Sequence, residues 1–252
     1  MEVQERLRSE QAFHDRQAEE RAAYFQAHPG QLLVSEDQYL DHEPWIRPAL
    51  ATFGELRGRR VLDFGCGHGM ASVVLAKRGA RVTAFDLSGS YLNEARARAR
   101  ANRVAVDHVR ANGEYLPFAD EAFDRIWGNA VLHHLDLGRA GREVLRVLKP
   151  KGVAVFCEPW GGNPLLNWAR RRLPYHGKKR TPQEAPLTPA DLDHLRIFSG
   201  LDVKGFELFS MAGRVLRRGT IVKALAWWDR QLLARIPCMQ RWCRYVVIIL
   251  RK

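Results

Sequence analysis

Cysteine is scarce in this chain. Cys66, Cys157, Cys238 and Cys243 are the only four in 252 residues, and none falls in a C-x-x-C pair or at zinc-ligand spacing from a histidine. That argues against a disulfide scaffold or a zinc finger, leaves free buried thiols of a reducing compartment, and gives no recognisable metal ligand set. No apolar run approaches the ~18 residues of a membrane span. The first ten residues alternate charges instead of leading into an apolar core, so no secretory signal is expected and the chain is placed in the cytoplasm, free or peripherally on a membrane. Acidic residues are fewer than basic ones, 28 against 40, for a net charge of +12. Such an excess can serve nucleic acid or an anionic membrane surface. Arg96, Arg98, Arg100 and Arg103, however, spread around one helix, and the denser groups Arg170 to Arg172, Lys178 to Arg180 and Arg214, Arg217 and Arg218 read equally as solvated surface.

What the chain does have is a length suited to one α/β domain with insertions and an organising stretch, Val61 to Met70, V-L-D-F-G-C-G-H-G-M. Val61, Leu62 and Phe64 suit a strand covered on both faces. Gly65, Gly67 and Gly69 give a loop without Cβ atoms, where a ligand comes close, and Ala71 to Ala80 follows as a helix whose free first amides favour a polar or anionic group. The next strand, Arg81 to Phe85, ends on Asp86. That residue stands 86 − 65 = 21 positions after the first loop glycine, the ~20-residue offset at which nucleotide-binding folds set a carboxylate on ribose hydroxyls. The loop is G-C-G-H-G, not the G-x-G-x-x-G of dinucleotide binders, and Asp63 precedes it by two positions.

These residues, with V-T-A-F-D-L-S, A-N-G-E-Y-L-P-F-A-D-E-A-F-D, V-L-H-H-L and E-V-L-R-V-L-K-P-K-G, resemble the ordered motifs of class I S-adenosylmethionine-dependent methyltransferases over roughly Leu56 to Pro159. The resemblance implies a Rossmann-like, doubly wound, mostly parallel seven-stranded sheet with an antiparallel last strand. It implies S-adenosylmethionine as cofactor, held by Asp63, Gly65, Cys66, Gly67, Asp86, Leu87, Ser88, Asn112, Gly113, Glu114 and Asn129. The family's usual G-D-A-E is altered here, with Asn112 in the aspartate's place; its amide oxygen can accept the same bond from the adenine amino group without charge.

Along the chain, Met1 to Ala27 reads as a polar helix or helix pair anchored by Leu7, Phe13, Ala22, Tyr24 and Phe25, and the resemblance makes 1–57 a helical lid over the cofactor; a plain outer helix is the other reading. His14, Tyr24 and His28 are its polar residues able to face a ligand. Strands are expected at Val104 to Val109, Phe123 to Gly128, Val153 to Cys157, Asp202 to Phe209 and Arg244 to Leu250. Helices are expected at Tyr91 to Ala101 behind a Ser88 cap, Leu137 to Leu148 and Ala190 to Ser199. Gly65, Asp86, Asn112, Asn129, His133 and Glu158 then all lie at or just after strand ends, where parallel sheets gather ligands.

Two insertions, 160–190 and 210–243, depart from the family core and suit the walls or lid of an acceptor pocket, with Trp160, Trp168, Tyr175 and His176 as possible lining. In the second, Ile221, Leu225, Trp228, Leu232 and Ile236 make one apolar helix face, for internal packing or for a membrane or lipid-like substrate. The leading function is methyl transfer to a small hydrophobic or amphipathic metabolite, on oxygen, nitrogen or carbon. If the acceptor must lose a proton, His133 with Glu158 is the candidate base pair by the resemblance, His134 the alternative, and packing roles for both the third reading. A non-catalytic S-adenosylmethionine-binding module is the second class. An RNA methyltransferase ranks below it, since an added RNA-binding domain and the N/D-P-P-Y/F motif are missing.

Overall fold

The structure, a computed structural model, describes residues 2–172, 185–213 and 219–252. The sequence positions Tyr175, His176, Lys178 to Arg180 and Arg214, Arg217 and Arg218 lie outside them. Seven strands form one sheet: β1 (Arg60–Phe64), β2 (Arg81–Asp86), β3 (Val106–Arg110), β4 (Phe123–Asn129), β5 (Leu148–Pro159), β6 (Gly200–Phe206) and β7 (Tyr245–Arg251). Their order is β3-β2-β1-β4-β5-β7-β6, with β1 to β5 pairing in parallel and β7 antiparallel to both β5 and β6. The chain reverses between β1 and β4, which puts a crevice at the carboxyl ends of the central strands.

Alternation in the central strands sorts two cores. Val61, Trp127, Val155, Val247 and Ile249 face one side, where they meet the helices α2 (Glu36–Leu40), α3 (Ile46–Ala51) and α4 (Met70–Lys77). Leu62, Phe64, Ile126, Phe156, Val246 and Ile248 face the other, against α6 (Leu137–Val147) and the 3₁₀ turn Pro189–Leu195. Near-total burial on both faces is why these strands read as continuous apolar runs. Segment 34–56 is thus part of the core, with Trp45 stacked on Tyr245 at 3.8 Å. The helix α1 (Glu2–Ala27) instead lies outside, against α5 (Gly89–Ala101).

Several element boundaries differ from expectation for physical reasons. Lys149-Pro150-Lys151-Gly152 reads as a helix stop and turn, yet β5 begins at Leu148, which pairs with Phe123 across an irregularity in register. β6 ends at Phe206, because the amides of Leu208, Phe209 and Ser210 turn aside to the buried carboxylate of Asp229, at 3.1, 2.8 and 3.1 Å. β3 begins at Val106, two residues late. The expected helix Ala190 to Ser199 is a 3₁₀ turn, Pro189–Leu195, in which the Thr188 amide and hydroxyl both donate to Asp191 at 2.7 Å. The helix α7 (Pro164–Arg172) opens the first insertion and α8 (Gly219–Arg235) fills most of the described part of the second.

Candidate active site

The three loop glycines have three different duties. Gly65 has φ +66°, and a Cβ built on it would stand 2.4 Å from Val131 Cγ2, so its missing side chain admits a neighbouring loop and not a ligand. Gly69 likewise yields to Ala95 of α5, at 2.7 Å. Gly67 is different: with φ +50° and nothing within 4 Å of its would-be Cβ, it opens onto a cavity of about 340 Å³, within the usual size of ligand sites.

Asp86, at the end of β2, ties this loop to the next helix. Its Oδ2 accepts from Gly67 N at 2.8 Å and its Oδ1 from Ser88 N at 2.9 Å. Each oxygen keeps a lone pair for a further donor, such as a ribose hydroxyl. Burial raises its pKa against the pull of those amide bonds. Asp63 accepts from the Ser72 hydroxyl at 2.5 Å and also from the Ser72 amide, so part of the helix start expected to face an anion is already taken by a carboxylate. Burial, against the Ser72 bonds and with help from Asp86, pushes Asp63 up to about 7.

Of the residues named from sequence, Asp63, Gly65, Cys66, Gly67, Asp86, Leu87, Asn112, Gly113 and Asn129 line the cavity. Asn112 uses its amide oxygen to accept from Glu114 N at 3.0 Å, which leaves one lone pair and the Nδ2 donor for an adenine edge. Ser88 and Glu114 are placed elsewhere. Ser88 caps α5 by accepting from Tyr91 N at 3.0 Å and donates to Asp15 of α1 at 2.5 Å. Glu114 is buried, accepting from Asp136 N at 2.9 Å and pairing with Arg6 of α1.

His133 and Glu158 are brought together, with His133 Nδ1 2.7 Å from Glu158 Oε2. The other carboxylate oxygen accepts from Val131 N and Leu132 N at 3.0 and 2.9 Å. Both side chains are nearly inaccessible, 4% and 0% exposed, and neither is part of the cavity wall; the ring that faces the cavity is its neighbour His134. Sequence reading passed over Glu10, Tyr39, His68 and Tyr91, which also line it. Burial, with Arg98 beside it, pulls His68 down to about 4, so it is neutral at pH 7. Arg98 itself is neither solvated nor free for an anion: it is buried, paired with Glu94 at 3.0 Å and donating to the His68 carbonyl at 2.9 Å.

The cavity's charge is opposite to the chain's. Glu10, Asp63 and Asp86 line it among the described residues, with no lysine or arginine, on a protein of net charge +12. Its remaining wall is largely apolar, including Phe64, Met70, Phe85, Trp127 and Leu135. A cationic ligand with an apolar or aromatic body fits this set, as a sulfonium nucleoside would.

Comparison with known proteins agrees. The "Methyltransferase domain" family matches residues 62–156. A malonyl-[acyl-carrier protein] O-methyltransferase of Pseudescherichia vulneris is 43% identical over 108 residues, 42% of this chain and 41% of that protein, so the chain spans about two fifths of that relative. The crystal structure of the [4+2]-cyclase SpnF superposes with a TM-score of 0.55 at 23% identity, over 82% of this chain and 80% of that one, a likeness of fold alone. Phthiotriol/phenolphthiotriol dimycocerosates methyltransferase 1 of Mycobacterium ulcerans (strain Agy99) is 30% identical over 204 residues, 79% of this chain and 69% of that protein. Similarity sustained over that length, on a seven-stranded sheet with the acid-lined crevice just described, makes this chain a member of the S-adenosylmethionine-dependent methyltransferase family.

Proposed function

We propose that the chain transfers a methyl group from S-adenosylmethionine to a small hydrophobic or amphipathic acceptor. The observation that carries this reading is the acid-lined, otherwise apolar cavity beside Gly67 and Asp86. Asp86 would hold the ribose, Asn112 and Gly113 the adenine edge, and Asp63 with Asn129 the charged end. When bound, the cofactor supplies an electrophilic methyl group on a sulfonium. The chain's part is positioning and exclusion of water, which can supply several kcal/mol by alignment alone. The pair His133–Glu158 fixes the turn that presents His134 to the cavity.

An apolar acceptor suits the wall residues Phe64, Trp127 and Leu135 better than a phosphate-bearing one, since the acids repel anions and RNA with them. The relatives' names, malonyl-[acyl-carrier protein] and phthiotriol dimycocerosates, show that acceptors differ widely within the family. On the outer surface, Trp227 and Trp228 of α8 are 48% and 53% exposed, and Ile221 and Ile236 are exposed beside them. That surface supports peripheral attachment to a membrane carrying the acceptor. Co-sedimentation with anionic vesicles, lost in a Trp227→Ala/Trp228→Ala variant, checks it.

The central reading is tested by calorimetry with S-adenosylmethionine on wild type and Asp86→Ala, followed by release of S-adenosylhomocysteine from a panel of hydroxylated and aromatic acceptors. Absence of cofactor binding sinks the reading. Binding without turnover on any acceptor or metabolite extract favours the non-catalytic module.

A further inference from the structure

We propose that Glu10, His14 and His134 form a binding site for a divalent first-row transition metal, zinc in the first instance, on the wall of the cavity. The three residues come from segments 120 residues apart: Glu10 and His14 are one turn apart on α1, on one helix face, and His134 sits in the 3₁₀ turn Leu132–His134 after β4. One ligand atom from each lies within 4.8 Å of the others. Glu10 Oε2 is 3.1 Å from His134 Nδ1 and 3.5 Å from His14 Nε2. A tetrahedral zinc with bonds of about 2.0–2.2 Å needs its ligand atoms roughly 3.3 Å apart, and both separations from Glu10 are close to that.

Two ring nitrogens of the cluster are buried without hydrogen bonds. His134 Nδ1 is buried and makes no hydrogen bond despite the carboxylate oxygen 3.1 Å away, because the ring N–H direction misses it. His14 Nδ1 is also buried without a hydrogen-bond partner. A buried ring nitrogen without a hydrogen bond, 3.1 Å from a carboxylate oxygen, is a place where a cation can be received. Both backbones are clamped: Arg6 donates to the His134 carbonyl at 2.5 Å, and the His133–Glu158 pair holds the same turn from behind.

Two imidazoles and a carboxylate select zinc, cobalt, iron(II) or nickel over magnesium or calcium. Three protein ligands leave a coordination position open, and since all three line the cavity, that position faces it. An oxygen acid, such as a hydroxyl, phenol or enol, would bind there and release its proton to water more readily, which makes that the class of acceptor. This last consequence rests on the methyltransferase reading; the metal site does not.

The test uses the full chain stripped with chelator and titrated with Co²⁺, then Zn²⁺ in competition. Visible absorption of low-coordinate cobalt, saturating at one equivalent and bleached by zinc, is the expected result. Glu10→Gln, His14→Gln and His134→Gln, each checked for folding by circular dichroism, should weaken binding at least about tenfold. A weak spectrum that does not saturate, or affinity unchanged from wild type in the three folded variants, overturns the proposal. Asp86→Ala separates the two readings: loss of S-adenosylmethionine binding with cobalt binding kept is expected. A wild type that binds the nucleoside but no metal removes this site alone, and one that binds metal but no nucleoside removes the methyltransferase reading alone.

Discussion

The central sheet and the first helix are held by different physics. Ile126, Phe156, Val246 and Ile248 are wholly buried, and each strand there is fixed by apolar contacts on two faces. Among its described side chains, α1 fully buries one apolar residue, Ala18, and its place is set by discrete polar pairs, Arg6 with Glu114, Asp15 with Ser88 and Ser90, Gln17 with Tyr91 and Arg21 with Glu94. Burial is cooperative and anonymous, so many residues share the load. Polar pairing is local, so α1 can be loosened a contact at a time while the sheet stays folded. The cavity lies where the two regimes meet, with Gly67 and Asp86 from the sheet side and Glu10 and His14 from the helix side.

The contrast is broken most severely from the sheet. Phe156→Ala removes a fully buried ring that meets Phe64 edge-on at 5.5 Å and should cost about 3–5 kcal/mol. Denaturant unfolding should show a lower midpoint with every probe moving together. Next comes Asp86→Ala. Loss of a charged hydrogen-bond acceptor is worth about 1.5–3 kcal/mol, so nucleoside affinity should fall roughly tenfold to a hundredfold by calorimetry; unchanged affinity would dissolve the assignment of the ribose to this carboxylate.

Asp63 makes the comparison pH-dependent. Burial holds its folded pKa at about 7, well above the 3.8 of an unhindered aspartate. From about pH 4 to 7 the folded chain keeps a proton that the unfolded chain has released, so this group's stability contribution is full below pH 4 and is lost as pH rises through 7. A cationic ligand prefers the ionised form, so its affinity should rise over the same range. Asp63→Asn keeps an acceptor for Ser72 and should flatten both curves, and a wild-type affinity that is level from pH 6 to 8 would count against contact between Asp63 and the cation. The smallest effect belongs to the helix: Asp15→Ala should lower global stability by no more than about 1 kcal/mol, yet speed amide exchange throughout α1 and leave β4 and β5 unaltered.

Much of the fold was readable because burial writes itself into local pattern. Val61 to Phe64, Arg81 to Asp86 and Phe123 to Asn129 are apolar runs ended by glycine or polar residues, and they are strands. The strand-end residues Gly67, Asp86, Asn112 and Asn129 meet at one cavity, as parallel winding requires. What escaped depends on partners distant in sequence. Glu114, next to the altered G-D-A-E position, is claimed by Arg6, and the end of β6 is set by Asp229. Gly65 is spared a side chain for the sake of Val131. The meeting of Glu10 and His14 with His134 joins a helix and a loop 120 residues apart, and a periodicity on α1 gives no hint of it.

Asp229 has a practical corollary. It gathers three amides and the Ser210 hydroxyl, the last at 2.6 Å, so one carboxylate of α8 holds the chain that leaves the sheet's edge. Anyone building chimaeras between relatives would have to transplant 207–210 and 219–235 as a unit. Moving the helix alone would strip three backbone amides and the Ser210 hydroxyl of their shared acceptor and leave the end of β6 without the group that now terminates it.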